Sequence, residues 1–283
     1  MKKTYIIAEI GINHNGSLDN ALKLIDIAAA SGCDAVKFQK RNPHKAVPEE
    51  QKNKPRKWLG EDMTYLEYKL RTEFGKEEYD KIDEYCKQKG IGWSASPWDT
   101  DSLEFLAQYD IPFIKLPSAM LTNDDLLYAT VGTGKKVIFS TGMSTAEEID
   151  HAVSILRSAQ KTYGNTQKIG LLHCNSSYPA PVNELNLSGI KTLAEKYPDF
   201  EIGYSGHEMT LGTTVASVLL GASILERHIT LDRNMEGSDH SCSVTPHGLF
   251  KLVSGVRELE AAYGDGVIQV TATEEGPRKK LRG

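Results

Sequence analysis

Residues 225–231 read LERHITL, and they form the last of eight short apolar runs that decide the fold. In a β-strand, successive side chains point to opposite faces. Glu226, His228 and Thr230 would then share one face, while Arg227 would lie on the other face and reach toward surrounding helices. An acid beside a buried imidazole is often only a satisfied polar pair. The other seven runs therefore decide whether this face is structural or functional.

These strand-like runs alternate with longer amphipathic patterns, such as residues 18–32, 145–160 and 249–264. The runs are TYIIAEIGI (4–12), AVKFQ (35–39), IGWSAS (91–96), FIKLPS (113–118), KVIFSTG (136–142), IGLLHC (169–174), EIGYSG (201–206) and SILERHI (223–229). Eight strands, each followed by a helix, predict an α/β fold, a parallel (β/α)8 TIM barrel. The alternative is an open, doubly wound sheet of six strands.

The domain organisation follows from this pattern. We expect one catalytic barrel domain over residues 1–270, and over residues 271–283 a C-terminal tail or the start of a missing linker. The stretch 40–58 is basic and contains prolines, so it reads as an extended loop over the barrel mouth, followed by a helix near 75–89. We assign Ser144 as the N-cap of the helix that starts near residue 145. A solvated loop is the simplest interpretation of its lysines and arginines, and attraction of anionic substrates is the functional one.

Composition excludes several classes of function. The 283 residues carry a net charge of −5, which argues against a nucleic-acid-binding protein. The four cysteines are scattered without a CxxC pair, so neither a zinc knuckle nor a disulfide framework is indicated. No signal peptide and no apolar run approaching 18 residues is present. We therefore expect a cytoplasmic protein with no nucleic-acid or membrane partner.

Polar side chains end all eight predicted strands, and in (β/α)8 barrels the active site forms at this edge. A charge placed inside a strand is costly to bury without a partner or ligand. One cation and three hydroxyl groups at neighbouring strand ends suit a phosphate. These residues are Ser96, Lys115, Ser118 and Ser140.

A second group of strand-end residues suits a metal and an organic substrate. His207 and His228 come from adjacent strands, and two neutral imidazoles form a reasonable site for Mn²⁺ or another divalent transition metal. The remaining polar groups could orient the substrate or move protons. They are Glu9, Lys37, Gln39 and Tyr178.

The motifs at these strand ends, in order, resemble the sialic acid synthase family. They are AEIGINHNG (8–16), AVKFQ (35–39), IKLPS (114–118), STGM (140–143), HCNSSYPAP (173–181), GYSGHE (203–208) and ERHITLDRNMEGSDHS (226–241). The resemblance implies a barrel that condenses phosphoenolpyruvate with an N-acylmannosamine-type sugar, giving a sialic-acid-like nonulosonic acid and inorganic phosphate. It also implies a divalent ion, commonly Mn²⁺, on His207 and His228, and a homodimer.

The resemblance also implies roles for individual positions. The phosphate of phosphoenolpyruvate is assigned to the lysine and serines named above, and Lys37 is placed close to the reacting groups. Ser205 and Glu226 fall in the same cavity. Ser176, Tyr178 and Asp239 fall where the family contacts its substrate.

Two departures from the family pattern are visible. Many relatives have an acid, suspected of activating the attacking water, where this chain has Met120. Glu9, Glu226 or another group would then have to serve, or the step would rely on metal and solvent. Many relatives also continue into an antifreeze-like domain, which would begin near residues 274–283, so we expect a short form.

Several other functions remain open on these residues. The nearest are a 9-phosphate-forming synthase, for which the basic residues 37–41 leave room, and a legionaminic or pseudaminic acid synthase. A metal-dependent pyruvate aldolase would share the two histidines but would not need Lys115 and the serines. A sugar-phosphate sensor is the non-enzymatic alternative.

Overall fold

Eight parallel strands form one sheet that curls into a nearly closed barrel. A computed structural model describes residues 2–282. The strands are β1 (Tyr5–Gly11), β2 (Ala35–Lys40), β3 (Pro55–Trp58), β4 (Glu61–Thr64), β5 (Gly92–Pro97), β6 (Phe113–Leu116), β7 (Lys136–Ser140), β8 (Gly170–Cys174), β9 (Glu201–Gly206) and β10 (Ile224–His228). All except β3 and β4 belong to the barrel, in the order β5-β2-β1-β10-β9-β8-β7-β6. The two end strands meet where Ser94 Oγ donates to the Phe113 carbonyl oxygen at 2.5 Å. The predicted barrel is confirmed.

Helices surround the barrel and follow its strands. They are α1 (Leu18–Ser31), α2 (Pro43–Ala46), α3 (Glu49–Lys52), α4 (Tyr65–Thr72), α5 (Lys76–Lys89), α6 (Thr100–Ala107), α7 (Asp124–Gly132), α8 (Ala146–Tyr163), α9 (Gly189–Lys196), α10 (Gly212–Leu219), α11 (Pro246–Ala262) and α12 (Glu275–Arg282). The predicted cap of α8 was wrong by one residue. Thr145, not Ser144, accepts the hydrogen bond from the Glu148 amide that caps this helix. Within residues 2–282, no helix combines the length and apolar character needed to cross a bilayer.

The connection between β2 and β5 differs from the extended loop that the sequence predicted. It contains the short helices α2 and α3, the antiparallel hairpin β3–β4, and α4. The capping box of Thr64 and Glu67 starts α4 directly after the hairpin. Each of these elements is short, so its apolar period is too brief to read without the contacts that hold it on the barrel.

Several predicted strands are also shorter than expected, among them β6 and β10. β6 ends at Leu116, because Pro117 has no amide hydrogen to continue the ladder. β10 ends at His228, so Thr230 lies in the following loop. There its hydroxyl donates to the Asp232 carbonyl and contacts the His240 ring.

The strand period of two divides the barrel interior into an apolar floor and a polar upper part. The floor consists of Ile7, Ala35, Phe113, Ile138, Leu172 and Ile224. Two positions further along the same strands, the inward side chains are Glu9, Lys37, Lys115, Ser140, Cys174 and Glu226. The floor therefore fixes the height at which the polar groups enter the barrel.

Residues 263–282 follow α11 and are exposed throughout. They include a 3-10 turn, Ala272–Glu274, and α12. The division between a domain of residues 1–270 and a tail of residues 271–283 stays a prediction, and Gly283 lies outside the described residues.

Gly203 tests the packing of β9 against β10 and β8. A Cβ atom at this position would lie 2.4 Å from both the Ile224 carbonyl oxygen and Leu172 Cδ2. Gly203→Ala should therefore lower the free energy of unfolding in urea by about 1–3 kcal/mol through overpacking. Gly212→Ala is the matched control, because nothing lies within 4 Å of its added Cβ. Equal stability of the two variants would contradict this account of the barrel packing.

Candidate active site

A cavity of about 180 Å³ opens at the carboxyl ends of the barrel strands. Most of the residues that the sequence singled out line it: Glu9, Lys37, Gln39, Ser96, Lys115, Ser118, Ser176, Tyr178, Ser205, His207, Glu226 and His228. Ser140 and Asp239 are not part of its lining. Ser140 is buried at the end of β7, and Asp239 lies in the loop after β10. The structure thus brings most of these residues together, while their individual roles remain predictions.

Four buried charges form the deepest part of the cavity. Lys37 Nζ lies 2.6 Å from Glu9 Oε2, and Lys115 Nζ lies 3.2 Å from Glu226 Oε1. Lys37 Nζ is also 3.9 Å from Glu226 Oε1, which links the two pairs. All four side chains are almost fully buried. Two lysines thus face two glutamates, so this part of the cavity carries little net charge when all four are ionised.

The two glutamates have different affinities for a proton. Burial raises the pKa of Glu9 to about 7, and the attraction of Lys37 offsets this only in part. Burial opposes ionisation of Glu226 as well, but the charges of Lys115 and Lys37 lower its pKa to about 2. At neutral pH, Glu226 is therefore the permanent carboxylate, and Glu9 is the one that can exchange a proton.

Hydroxyl groups surround this charged part. Lys37 Nζ donates to Ser96 Oγ at 2.8 Å. The Gly142 amide donates to Ser118 Oγ at 3.0 Å. A Cβ atom at Gly142 would lie 2.1 Å from Ser176 Oγ, so only glycine lets these two serines approach the turn after β7. The buried hydroxyl of Ser140 has no hydrogen-bond partner within residues 2–282.

Two imidazoles lie together at one side of the cavity. The ring centroids of His207 and His228 are 5.3 Å apart, and the Tyr178 ring lies 4.1 Å from the His207 ring. His207 Nδ1 is 2.6 Å from the Asn175 carbonyl oxygen, which accepts the Nδ1 proton. The lone pair of the neutral ring is then on Nε2, as in histidines that bind a metal through that atom.

The surroundings of His228 keep its ring neutral. Burial lowers its pKa to about 3. Its Nδ1 is buried without a hydrogen-bond partner in the described chain, and Asp239 Oδ2 is 3.8 Å away. The pKa of His207 is instead raised, since contact with Cys174 outweighs the effect of burial. A proton therefore competes more strongly for His207 than for His228.

This donor set fits a divalent transition metal with two protein ligands. Two adjacent imidazoles supply nitrogen donors, and one buried ring nitrogen lacks a partner. Residues 2–282 contain no group of three or more histidine, cysteine or acidic side chains arranged to hold a metal ion. Ligands beyond the imidazoles would have to come from substrate or water.

Sequence reasoning missed several residues of the cavity. Trp98, Pro117, Ala119, Met143 and Cys174 also line it. Cys174 was visible as the end of a strand, and alternation from Leu172 would have placed it inside. Trp98 follows β5, where no period indicates which way a side chain points.

Two other residues near the strand ends point away from the cavity. Glu208 ends the GYSGHE motif, but Arg227 Nη1 donates to its Oε1 at 3.2 Å on the outer side of the barrel. Arg227 is thus structural, as its position in the strand indicated. Met120 packs against the core instead of lining the cavity.

A (β/α)8 barrel with buried acids, lysines and imidazoles at its strand ends is the architecture of an enzyme. A family model, the NeuB family, matches residues 24–268. An N,N'-diacetyllegionaminic acid synthase from Campylobacter jejuni is 37% identical over 97% of this chain and 82% of its own length. The human N-acetylneuraminate-9-phosphate synthase is 36% identical over 98% of this chain and 76% of its own length.

A solved structure is similar as well. The N-acetylneuraminic acid (sialic acid) synthetase from Leptospira borgpetersenii, in complex with citrate, is 35% identical with a TM-score of 0.84, over 99% of this chain and 93% of that one. The chain therefore belongs to the NeuB family. It is a synthase-type transferase of nonulosonic acid synthesis, and the resemblance read from the strand-end motifs is confirmed.

The raised pKa of Glu9 predicts a pH dependence of stability. Folded Glu9 releases its proton near pH 7, whereas the ordinary value is 4.5. Between these values the folded state binds more protons, so the contribution of Glu9 to the free energy of unfolding falls as pH rises. Glu9→Gln removes this loss. Urea denaturation should show the variant gaining stability relative to the parent protein from about pH 5 to pH 8.

Glu226→Gln is the control for this measurement. Its lowered pKa confines the pH-dependent contribution of Glu226 to the range below 4.5, where stability is lost as pH falls. The charge of Glu226 also helps to raise the pKa of Glu9, so between about pH 5 and pH 8 the stability of this variant relative to the parent should change only through Glu9, and by less than in Glu9→Gln. If the free energy of unfolding of Glu9→Gln and of the parent changed in parallel with pH, the raised pKa of Glu9 would be refuted.

Proposed function

We propose that this protein condenses phosphoenolpyruvate with the open-chain aldehyde of an N-acylmannosamine-type sugar. The products would be a sialic-acid-like nonulosonic acid and inorganic phosphate. One observation carries the proposal: Lys115, with hydroxyl donors around it, lies in the same cavity as the imidazoles of His207 and His228. A phosphate-binding end and a carbonyl-activating end within one cavity suit this condensation.

The deep end of the cavity would bind phosphoenolpyruvate. Lys37 and Lys115 donate to its anionic groups, together with the hydroxyls of Ser96 and Ser118. Both lysines already contact glutamates, so an incoming anion competes with Glu9 and Glu226. A proton on Glu9 frees Lys37 for the ligand and leaves this end of the cavity with a net positive charge.

A divalent cation, Mn²⁺ in the first instance, would be held by the imidazoles of His207 and His228. When bound, it supplies a Lewis acid for the aldehyde oxygen of the sugar. The hydrogen bond from His207 to the Asn175 carbonyl keeps that ring in the tautomer with a free Nε2. Tyr178 packs on both imidazoles and limits the space beside them.

Glu226 and Glu9 would stabilise charge and move protons during the condensation. As C3 of phosphoenolpyruvate bonds to the aldehyde carbon, C2 gains positive character, which the ionised carboxylate of Glu226 stabilises. Glu9 gives its proton to the aldehyde oxygen, which becomes a hydroxyl, and the carboxylate left on Glu9 accepts a proton from the water that adds to C2. The resulting hemiketal phosphate breaks its C–O bond, which gives the keto acid and inorganic phosphate. Glu9 thus replaces the acid that many relatives have at the position of Met120.

Turnover and isotope labelling test the reaction. Phosphoenolpyruvate with N-acetylmannosamine, its 6-phosphate or a deoxy diacetamido sugar should release phosphate only when an acceptor is present, and faster with Mn²⁺ than with a chelator. In ¹⁸O-water, the label should enter the keto acid and not the phosphate. Phosphate carrying the label would contradict cleavage of the C–O bond. An aldolase would act on free pyruvate, and a sensor would release no phosphate with any acceptor.

Metal binding tests the two imidazoles separately from turnover. His228→Ala should weaken Mn²⁺ binding, measured by calorimetry, about 100-fold or more, because half of the proposed protein ligands are lost. His247→Ala is the control, since His247 is exposed and does not line the cavity. Unchanged affinity in His228→Ala would refute the assignment. Mn²⁺ binding should also weaken as pH falls, because protons compete with the metal ion for the imidazole of His207, whose pKa is raised.

A further inference from the structure

Three cationic side chains lie over the barrel mouth, beside the cavity. Arg41 follows β2, Arg56 is on β3, and Lys69 is on α4. The guanidinium carbon of Arg41 is 4.6 Å from the ring centroid of Trp98, which lines the cavity. The guanidinium carbon of Arg56 is 4.0 Å, and Lys69 Nζ 5.0 Å, from the ring centroid of Tyr68. We call Arg41, Arg56 and Lys69 the mouth cluster.

Several donors of this region have no acceptor. Arg41 is only 7% exposed, and its Nε has no hydrogen-bond partner within residues 2–282. The buried Nε of Arg56 and the buried indole nitrogen of Trp98 also lack a hydrogen-bond partner within these residues. In the described chain, neither Arg56 nor Lys69 takes part in an ion pair. A buried donor without an acceptor is destabilising, so an arrangement of several points to an anion that they would bind.

Nearby carboxylates do not balance these charges. Glu73 accepts a hydrogen bond from Lys40 at 2.8 Å and lies 3.8 Å from Arg41 Nε. Asp239 is the other acid close to the mouth cluster. Burial and the charges of Arg41 and Arg56 lower the pKa of Lys69 to about 8, and the charges of Asp239 and Glu73 offset only part of this effect. The region therefore keeps an excess of positive charge at neutral pH.

Asp239 also connects the mouth cluster with the acceptor side of the cavity. Its Oδ2 is 3.8 Å from Nδ1 of His228, one of the two proposed metal ligands. The aldehyde of the acceptor would bind on this side. A group on the acceptor that points out of the cavity would therefore meet the mouth cluster.

We propose that Arg41, Arg56 and Lys69 bind a phosphate monoester carried by the acceptor sugar at the end remote from its aldehyde. The inference rests on the proposed function and names the acceptor class, a 6-phosphorylated N-acylhexosamine. The deep end of the cavity takes the phosphate of phosphoenolpyruvate, where two lysines face two glutamates. A second phosphate needs its own donors, and the mouth cluster supplies them.

Acceptor selectivity tests the proposal. The kcat/KM values of N-acetylmannosamine and its 6-phosphate are compared at pH 7 in the parent protein, Arg56→Gln and Lys69→Gln. The parent should prefer the phosphorylated sugar. In each variant, kcat/KM should fall about 10- to 100-fold with the 6-phosphate and less than about threefold with the unphosphorylated sugar. The reason is that only a charge-assisted contact to the phosphate is removed. Arg56→Lys should recover part of the loss.

Lys57→Gln is the matched control. Lys57 neighbours Arg56 on β3, is exposed, and points to the opposite face of the hairpin. Lys57→Gln should leave the preference for the phosphorylated sugar unchanged. A parent protein that favours the unphosphorylated sugar, or variants that lose equally with both acceptors, would overturn the proposal and leave the condensation intact.

Binding without turnover separates the two hypotheses. By calorimetry, mannose 6-phosphate should bind the parent at least about tenfold more tightly than mannose, and Arg56→Gln should abolish this difference. This holds even if no acceptor is turned over, a result that would refute the proposed function alone. Phosphoenolpyruvate should bind the parent and Arg56→Gln equally. Weaker binding to the variant would assign the mouth cluster to phosphoenolpyruvate and overturn the inference.

Discussion

The buried contacts of Lys37 with Glu9 and of Lys115 with Glu226 are the constraint on which the rest of the site depends. An uncompensated charge in a protein interior costs several kcal/mol, so each lysine needs its carboxylate nearby. The four side chains come from four different strands, β1, β2, β6 and β10. Their distances of 2.6 and 3.2 Å are therefore possible only if the barrel keeps its register. A slip of one residue would turn a charge outward into the helical layer.

The apolar floor supplies that register. Ile7 and Glu9 lie on one face of β1, and Ile224 and Glu226 on one face of β10, so burying the floor also sets the height of the acids. Gly203 permits β9 to lie against Ile224 without a clash. The chemistry of the upper layer thus depends on the packing of an apolar layer that takes no part in it.

The sequence predicted well what depends on local periodicity and poorly what depends on distant contacts. Strand alternation placed Lys37, Glu226 and His228 in one cavity, because a barrel assigns a single direction to every second residue of a strand. No such rule governs the segment after β2, where the extended loop proved to be helices and a hairpin. The sequence marked residues 40–58 as basic, but nothing in it indicated that Arg41 and Arg56 would lie near Lys69. Arg41 and Lys69 are far apart in the chain and meet only through the folded hairpin.

The distribution of charge along the cavity orients the two substrates of the proposed reaction. At the deep end each lysine faces a glutamate, so protonation of Glu9 favours the binding of an anion there. At the mouth the positive charges exceed the carboxylates before any ligand binds. Phosphoenolpyruvate at the deep end and a phosphorylated acceptor at the mouth would each meet cations, with the two imidazoles between them. The reacting carbons would then meet beside Glu226 and His228, which lie two residues apart on β10, and this is where charge develops in the condensation.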